Sequence, residues 1–179
     1  MSRPKARRRM ADTFTYAFAG LRYATRTQRT FRIHLGIAAA IAVLIFVLDL
    51  SAIDAAVVVL AIAVVIAAEL FNTGIEAVID LLVERNHHSA AQIAKDISAG
   101  SVLTTTVAAA IVGSLVLGPP LMRVLGFPPA LAAAFPRWLA AALLAAGAVG
   151  FIRLLQHPRA DSRLAAPDGG TPKPGAQVR

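Results

Sequence analysis

Glu69-Leu70-Phe71-Asn72-Thr73-Gly74-Ile75-Glu76-Ala77-Val78-Ile79-Asp80 sets three carboxylates and an amide into a run otherwise apolar enough to cross a membrane. At about 100° per residue, Glu69, Asn72, Thr73, Glu76 and Asp80 fall within roughly 100° of arc, so one helix presents all five on one face. Two readings follow. The face is an inward polar stripe neutralised by arginines of neighbouring helices, or it is a site that holds a divalent cation. Five polar groups on one face favour the site, because ionisable residues inside a membrane span are costly and mark function by default. Their oxygen donors suit Mg²⁺ shared with substrate phosphates better than zinc or copper.

The rest of the chain supports a membrane setting. Of 179 residues 57% are hydrophobic and 16% charged, and mean hydropathy is +0.65, more apolar than a soluble domain. With no cysteine there is no thiolate metal site, disulfide framework or catalytic thiol. Nine of the eighteen basic residues lie between Arg3 and Arg32, ahead of the first long apolar run. Beside a membrane span, such a basic segment reads as lipid attraction and topology control, and nucleic acid is not expected as a partner.

Outward from the opening stretch, the expected organisation is all-α. Residues 1–10 read as a basic tail, not a signal peptide, since the apolar run starts only at Ile33. Asp12 to Arg32, mixing aromatics with arginines, suits a helix lying in the membrane interface. Spans are expected at Ile33 to Leu50, from Ala55 through the polar stretch, at Ile97 to Leu117, and at Arg137 to Leu155. The Asp49 to Asp54 turn carries no Lys or Arg and is expected outside. Fourteen residues from Ala55 to Ala68 rise roughly 21 Å, placing Glu69 near the cytoplasmic edge of the hydrocarbon. Gly118 to Pro136, with five prolines, is expected to be a loop. The domain expectation is therefore 11–118 as the membrane domain, 119–156 as proline-rich loop and extra span, and 157–179 as a disordered cytoplasmic tail.

No phosphate-binding Gly-x-x-x-x-Gly-Lys-Ser/Thr loop and no set of protein-kinase signatures occurs, so a conventional nucleotide-binding fold is not supported. The adjacent His87 and His88 read as solvated loop residues. The pattern Glu69-x-x-Asn72-Thr73-x-x-Glu76-x-x-x-Asp80, then His88 and Ala94-Lys95-Asp96-x-x-Ala99-Gly100-Ser101-Val102-Leu103, closely resembles the prokaryotic diacylglycerol kinase and undecaprenol kinase family. With the upstream Phe31-Arg32-Ile33-His34, the resemblance covers about Phe14 to Leu117. It implies a small integral-membrane kinase of the bacterial inner membrane, using Mg-ATP to phosphorylate a lipid alcohol and working as a homotrimer with shared sites. Three spans are usual in that family, and the fourth here is an addition.

Carried over by residue, the resemblance makes Glu69 the catalytic base, Glu76 a metal ligand, and Asn72 its neighbour in the site. Asp80 and His88 then lie near the nucleotide, and Lys95 and Asp96 form a phosphate- and metal-associated pair. Gln28 stands where the family carries a glutamate implicated in metal binding, keeping an oxygen donor but losing its charge. The expected activity is phosphorylation of a membrane lipid alcohol, undecaprenol first and diacylglycerol next, with both termini cytoplasmic. The alternative is a catalytically impaired membrane scaffold of the same family, which Gln28 and the extra span favour. An ion carrier is disfavoured, because the acids gather at one membrane edge.

Overall fold

The computed structural model describes residues 10–83 and 89–156, which form five helices in chain order: α1 (Met10–Thr27), α2 (Arg29–Val47), α3 (Ala52–Val83), α4 (Ser89–Val124) and α5 (Pro129–Gln156). The last four are long and apolar enough to cross a membrane. The tails at 1–9 and 157–179, and the polar connector with His87 and His88, lie outside the described residues.

α1 exposes Phe14 and Phe18 and carries Arg22 and Arg26, the composition of a helix resting on a lipid surface. It does not continue into the first span. Gln28 is extended (φ −103°, ψ 116°) and separates α1 from α2. Arg32 Nη1 donates to the carbonyls of Thr25 (3.2 Å) and Arg26 (3.3 Å), satisfying acceptors that the end of α1 leaves open. Ala24 and Phe31, 1% and 0% exposed, pin the corner from inside.

Asp49 turns the chain between α2 and α3 at φ +49°, a left-handed position that a short polar side chain tolerates. Ser51 Oγ then accepts the Asp54 N–H (3.2 Å) and donates to the Asp54 carboxylate (2.8 Å), starting α3 with a reciprocal cap. α4 is the shared wall: it packs against α3 on one side and α5 on the other, whereas α2 leans on α3 over a shorter seam. Few residues of each span are buried within the chain.

The long loop expected from Gly118 to Pro136 is not formed. α4 runs through Pro119 and Pro120 to Val124, and α5 starts at Pro129 and includes Pro136, so the connector is only 125–128. Proline breaks helices in water by removing an N–H and crowding the preceding turn, but spans packed on neighbours tolerate it. Here Pro129 occupies the first helical position, where a missing N–H costs nothing and the fixed φ favours entry. Pro136 is buried against Gly118: a Cβ on Gly118 would lie 2.5 Å from Pro136 Cγ and 2.7 Å from its Cβ, so α4 and α5 touch where only glycine fits. α3 likewise extends to Val83, and α4 begins at Ser89, ahead of the span expected from Ile97.

Candidate functional site

The polar face of α3 graduates from interior to surface. Glu69, Asn72 and Thr73 are buried, Glu76 is half-buried and Asp80 is exposed. Among the described residues no arginine neutralises the buried part. Glu69, 2% exposed, has Oε1 2.8 Å from His34 Nδ1, an ion pair when the imidazole is protonated. Neither of those atoms has another partner among the described residues. Thr30 Oγ1 donates to Glu69 Oε2 at 3.4 Å, and Thr73 Oγ1 donates to the Glu69 carbonyl at 2.9 Å. Helix α2 therefore supplies both side chains that meet this carboxylate.

Two turns along α3 from Glu69, Glu76 is held by amides. Gln28 Nε2 donates to Oε2 (3.0 Å) and Asn72 Nδ2 to Oε1 (2.9 Å). The break between α1 and α2 frees Gln28 for this: it occupies the N-cap position of α2 without capping it. Asn72 is fixed in turn by Ser98 of α4, whose Oγ lies 2.6 Å from Asn72 Oδ1 and 2.9 Å from the Lys95 carbonyl. One hydroxyl proton serves one acceptor at a time, and the shorter distance is to Asn72. Gln28, Glu76, Asn72 and Ser98 thus form a chain of bonds across the α1–α2 corner, α3 and α4.

Lys95 and Asp80 form an ion pair at the surface end of the face, where solvent makes such pairs weak holders of structure. Asp96 accepts from Gln92 Nε2 at 2.9 Å along α4. The structure so gathers Glu69, Asn72, Glu76 and Gln28 and brings Lys95 to Asp80. Asp96 sits exposed beside this group, and His88 lies outside the described residues. Sequence reasoning missed His34 as the contact of Glu69 and Ser98 as the anchor of Asn72. His34 lay within the quoted Phe31-Arg32-Ile33-His34, but no spacing rule ties it to Glu69; for Ser98 the signal is absent.

Among the described residues no three His, Asp or Glu side chains converge as a complete metal cage. The Glu76 carboxylate is a hard-oxygen ligand of the kind Mg²⁺ accepts when substrate phosphates and water complete the shell, but Gln28 and Asn72 turn N–H donors to it, so Gln28 would add its oxygen only after its amide turns.

The prokaryotic diacylglycerol kinase family model matches residues 15–117, from α1 almost to the end of α4, and so includes every side chain of this cluster. The chain belongs to that family. A relative named diacylglycerol kinase, from Synechocystis, is 45% identical over 113 residues, 63% of this chain and 65% of the relative. One named undecaprenol kinase, from Bacillus subtilis, is 35% identical over 113 residues, 63% of this chain and 91% of the relative. The chain thus spans just under two-thirds of the length of the Synechocystis relative. No solved structure matches it significantly. Helix α5 lies beyond the family match.

Proposed function

We propose that the protein phosphorylates the hydroxyl of a membrane lipid with ATP at the cytoplasmic face of a bacterial inner membrane. The observation that carries this reading is the buried Glu69 carboxylate at the apolar end of a polar face whose other end holds Glu76 and the Lys95–Asp80 pair. A lipid alcohol and a water-soluble nucleotide meet at such a boundary. Both relatives bear names of kinases acting on lipids, diacylglycerol in one and undecaprenol in the other.

In the proposed step the lipid oxygen bonds to the γ-phosphorus, the bond from that phosphorus to the β-γ bridging oxygen breaks, and ADP leaves. Glu69 takes the hydroxyl proton. Lys95 leaves Asp80 to balance phosphate charge, with Asn72, Asp80, His88 and Asp96 around the nucleotide. Glu76, with the Gln28 amide oxygen once that amide turns, would hold Mg²⁺, which when bound supplies charge neutralisation for the phosphates. Little covalent work falls to the protein, so positioning and electrostatics carry catalysis. A homotrimer with shared sites and cytoplasmic termini belong to the same reading.

A second reading, an impaired scaffold, draws on one feature: Gln28 already satisfies Glu76 with an amide, as a second carboxylate would not. Phosphate transfer from labelled ATP to undecaprenol and to diacylglycerol, side by side with purified full-length protein, separates the two. The kinase reading expects a labelled lipid that Glu69→Gln diminishes about a hundredfold or more, as loss of a general base does. Absence of any labelled lipid across a Mg²⁺ series would leave the scaffold.

A further inference from the structure

Helix α2 presents a side chain to each oxygen of the Glu69 carboxylate. Thr30 and His34 are four residues apart and so share a face of the helix, the one that also buries Phe31. Their hold on the two oxygens is unequal. Thr30 Oγ1 lies 3.4 Å from Oε2, long for a bond between oxygens, and Thr30 is itself exposed. His34 Nδ1 stands 2.8 Å from Oε1, and both atoms are buried without another partner among the described residues.

Two bare acceptors would repel at 2.8 Å, so one proton lies between Nδ1 and Oε1. A carboxylate that is to receive a proton must be ionised, which leaves the shared proton on Nδ1 and makes the imidazole the donor. Oε1 is thereby committed to His34. Oε2, on the side where exposed Thr30 opens the site, is the oxygen left for a substrate. Which oxygen faces outward matters, because the last torsion of a glutamate side chain is broad and roughly two-fold. A carboxylate without His34 turns freely, and a displaced catalytic group loses rate steeply. Nothing else competes for the imidazole on its far side: the cavity that His34 lines among α2, α3 and α4 has no other titratable side chain in its wall.

We infer that His34 is a positioning residue for phosphoryl transfer: by donating Nδ1–H to Oε1 it holds Glu69 with Oε2 turned to the acceptor hydroxyl. The inference rests on the kinase reading and adds to it the partner of the base. As the lipid oxygen bonds to the γ-phosphorus and ADP leaves, the hydroxyl proton passes to Oε2. Nδ1 keeps its own proton throughout, so Glu69 ends the step neutral and later releases its proton to water from Oε2.

The test uses full-length protein in one detergent, with phosphate transfer from labelled ATP to dioctanoylglycerol and to a short polyprenol. His34→Leu keeps bulk and loses the donor, whereas His34→Asn puts an amide N–H close to where Nδ1 stands. His34→Leu is expected to lower kcat about 10–100-fold, the loss of a hydrogen bond to a charged group. KM for ATP stays unchanged, and His34→Asn recovers most of the turnover. Because His34 acts through Glu69, adding His34→Leu to Glu69→Gln should lower kcat no further. Wild-type turnover in His34→Leu, or an equal fall in both backgrounds, overturns the inference. A spectrum of the wild type guards against misfolded variants: with ¹⁵N-labelled histidine, the His34 resonance, identified by its loss in His34→Asn, should show a protonated Nδ1 that responds to Glu69→Gln. A bare Nδ1, or one indifferent to Glu69→Gln, overturns the inference too. That spectrum needs no turnover, so a wild type that phosphorylates neither lipid sinks the kinase reading, and the pairing of His34 with Glu69 then stands or falls with the spectrum.

Discussion

Ser98→Ala removes one hydroxyl, 5% exposed, that no catalytic argument assigns to substrate. Its Oγ stands 2.6 Å from Asn72 Oδ1, and Asn72 in turn donates to Glu76 at 2.9 Å. Alanine leaves the Asn72 oxygen, on a residue 9% exposed, without its donor, a loss worth about 1–3 kcal/mol for a buried group. Nor can a flip of the amide repair it. That would turn the Asn72 oxygen toward the Glu76 carboxylate and its NH₂ toward a methyl group. The variant is therefore expected to lower the thermal midpoint and to let Glu76 wander. If the site loses about 1–2 kcal/mol, the Mg²⁺ concentration for half-maximal transfer rises by a factor of about 5–30. Ser98→Thr, which keeps a hydroxyl, should recover most of both. The assay is labelled-phosphate transfer against a Mg²⁺ series, with thermal unfolding in the same detergent. A lowered midpoint with an unchanged Mg²⁺ requirement would show that Ser98 holds α3 to α4 without shaping the site.

Gln28→Glu places a carboxylate against Glu76, where an amide now donates at 3.0 Å. The variant should unfold at lower temperature in a chelator, regain stability on adding Mg²⁺, and match or exceed the wild-type turnover; stability indifferent to Mg²⁺ would count against a metal at this pair. Gly118→Val forces side-chain atoms into Pro136, already 2.5 Å from an added Cβ. It should cost about 1–3 kcal/mol by overpacking while sparing turnover at saturating substrates, because the contact is at the far end of α4 from the Glu69 site. Stability equal to wild type would mean that α5 is not held there. An enzyme reporter fused after Arg179 should be active only when its activity requires the cytoplasm, as four spans and a cytoplasmic N-terminus require, and activity of an externally folding reporter would contradict that topology.

The α3 face could be read from spacing alone because Glu69, Asn72, Thr73, Glu76 and Asp80 share one helix, whose geometry is local. Burial of the first three and exposure of Asp80 reflect how far α2 and α4 cover that face of α3. What joins that face to its neighbours was not legible. His34 reaches Glu69, and Ser98 reaches Asn72, only once the axial offsets of α2 and α4 against α3 are known, and no periodicity encodes an offset. Gln28 was identified through family resemblance, but its departure from helical geometry, which delivers its amide to Glu76, was not. The prolines misled for a different reason. Their cost is set by what surrounds a helix, and Pro136 lies against Gly118 instead of facing water.

The sparse burial within each span has a thermodynamic consequence. With only 6–17% of the most apolar stretch of each span enclosed by the chain itself, most of the solvation energy that keeps these helices together belongs to whatever lies beside them. Lipid tails are as apolar as leucine, so they do not press helices together as water does. The unfolding midpoint is thus a joint property of the polypeptide and its amphiphile, and changing acyl-chain length or detergent should move it as an added ligand would. For this bundle the surrounding medium is in effect a component of the native state.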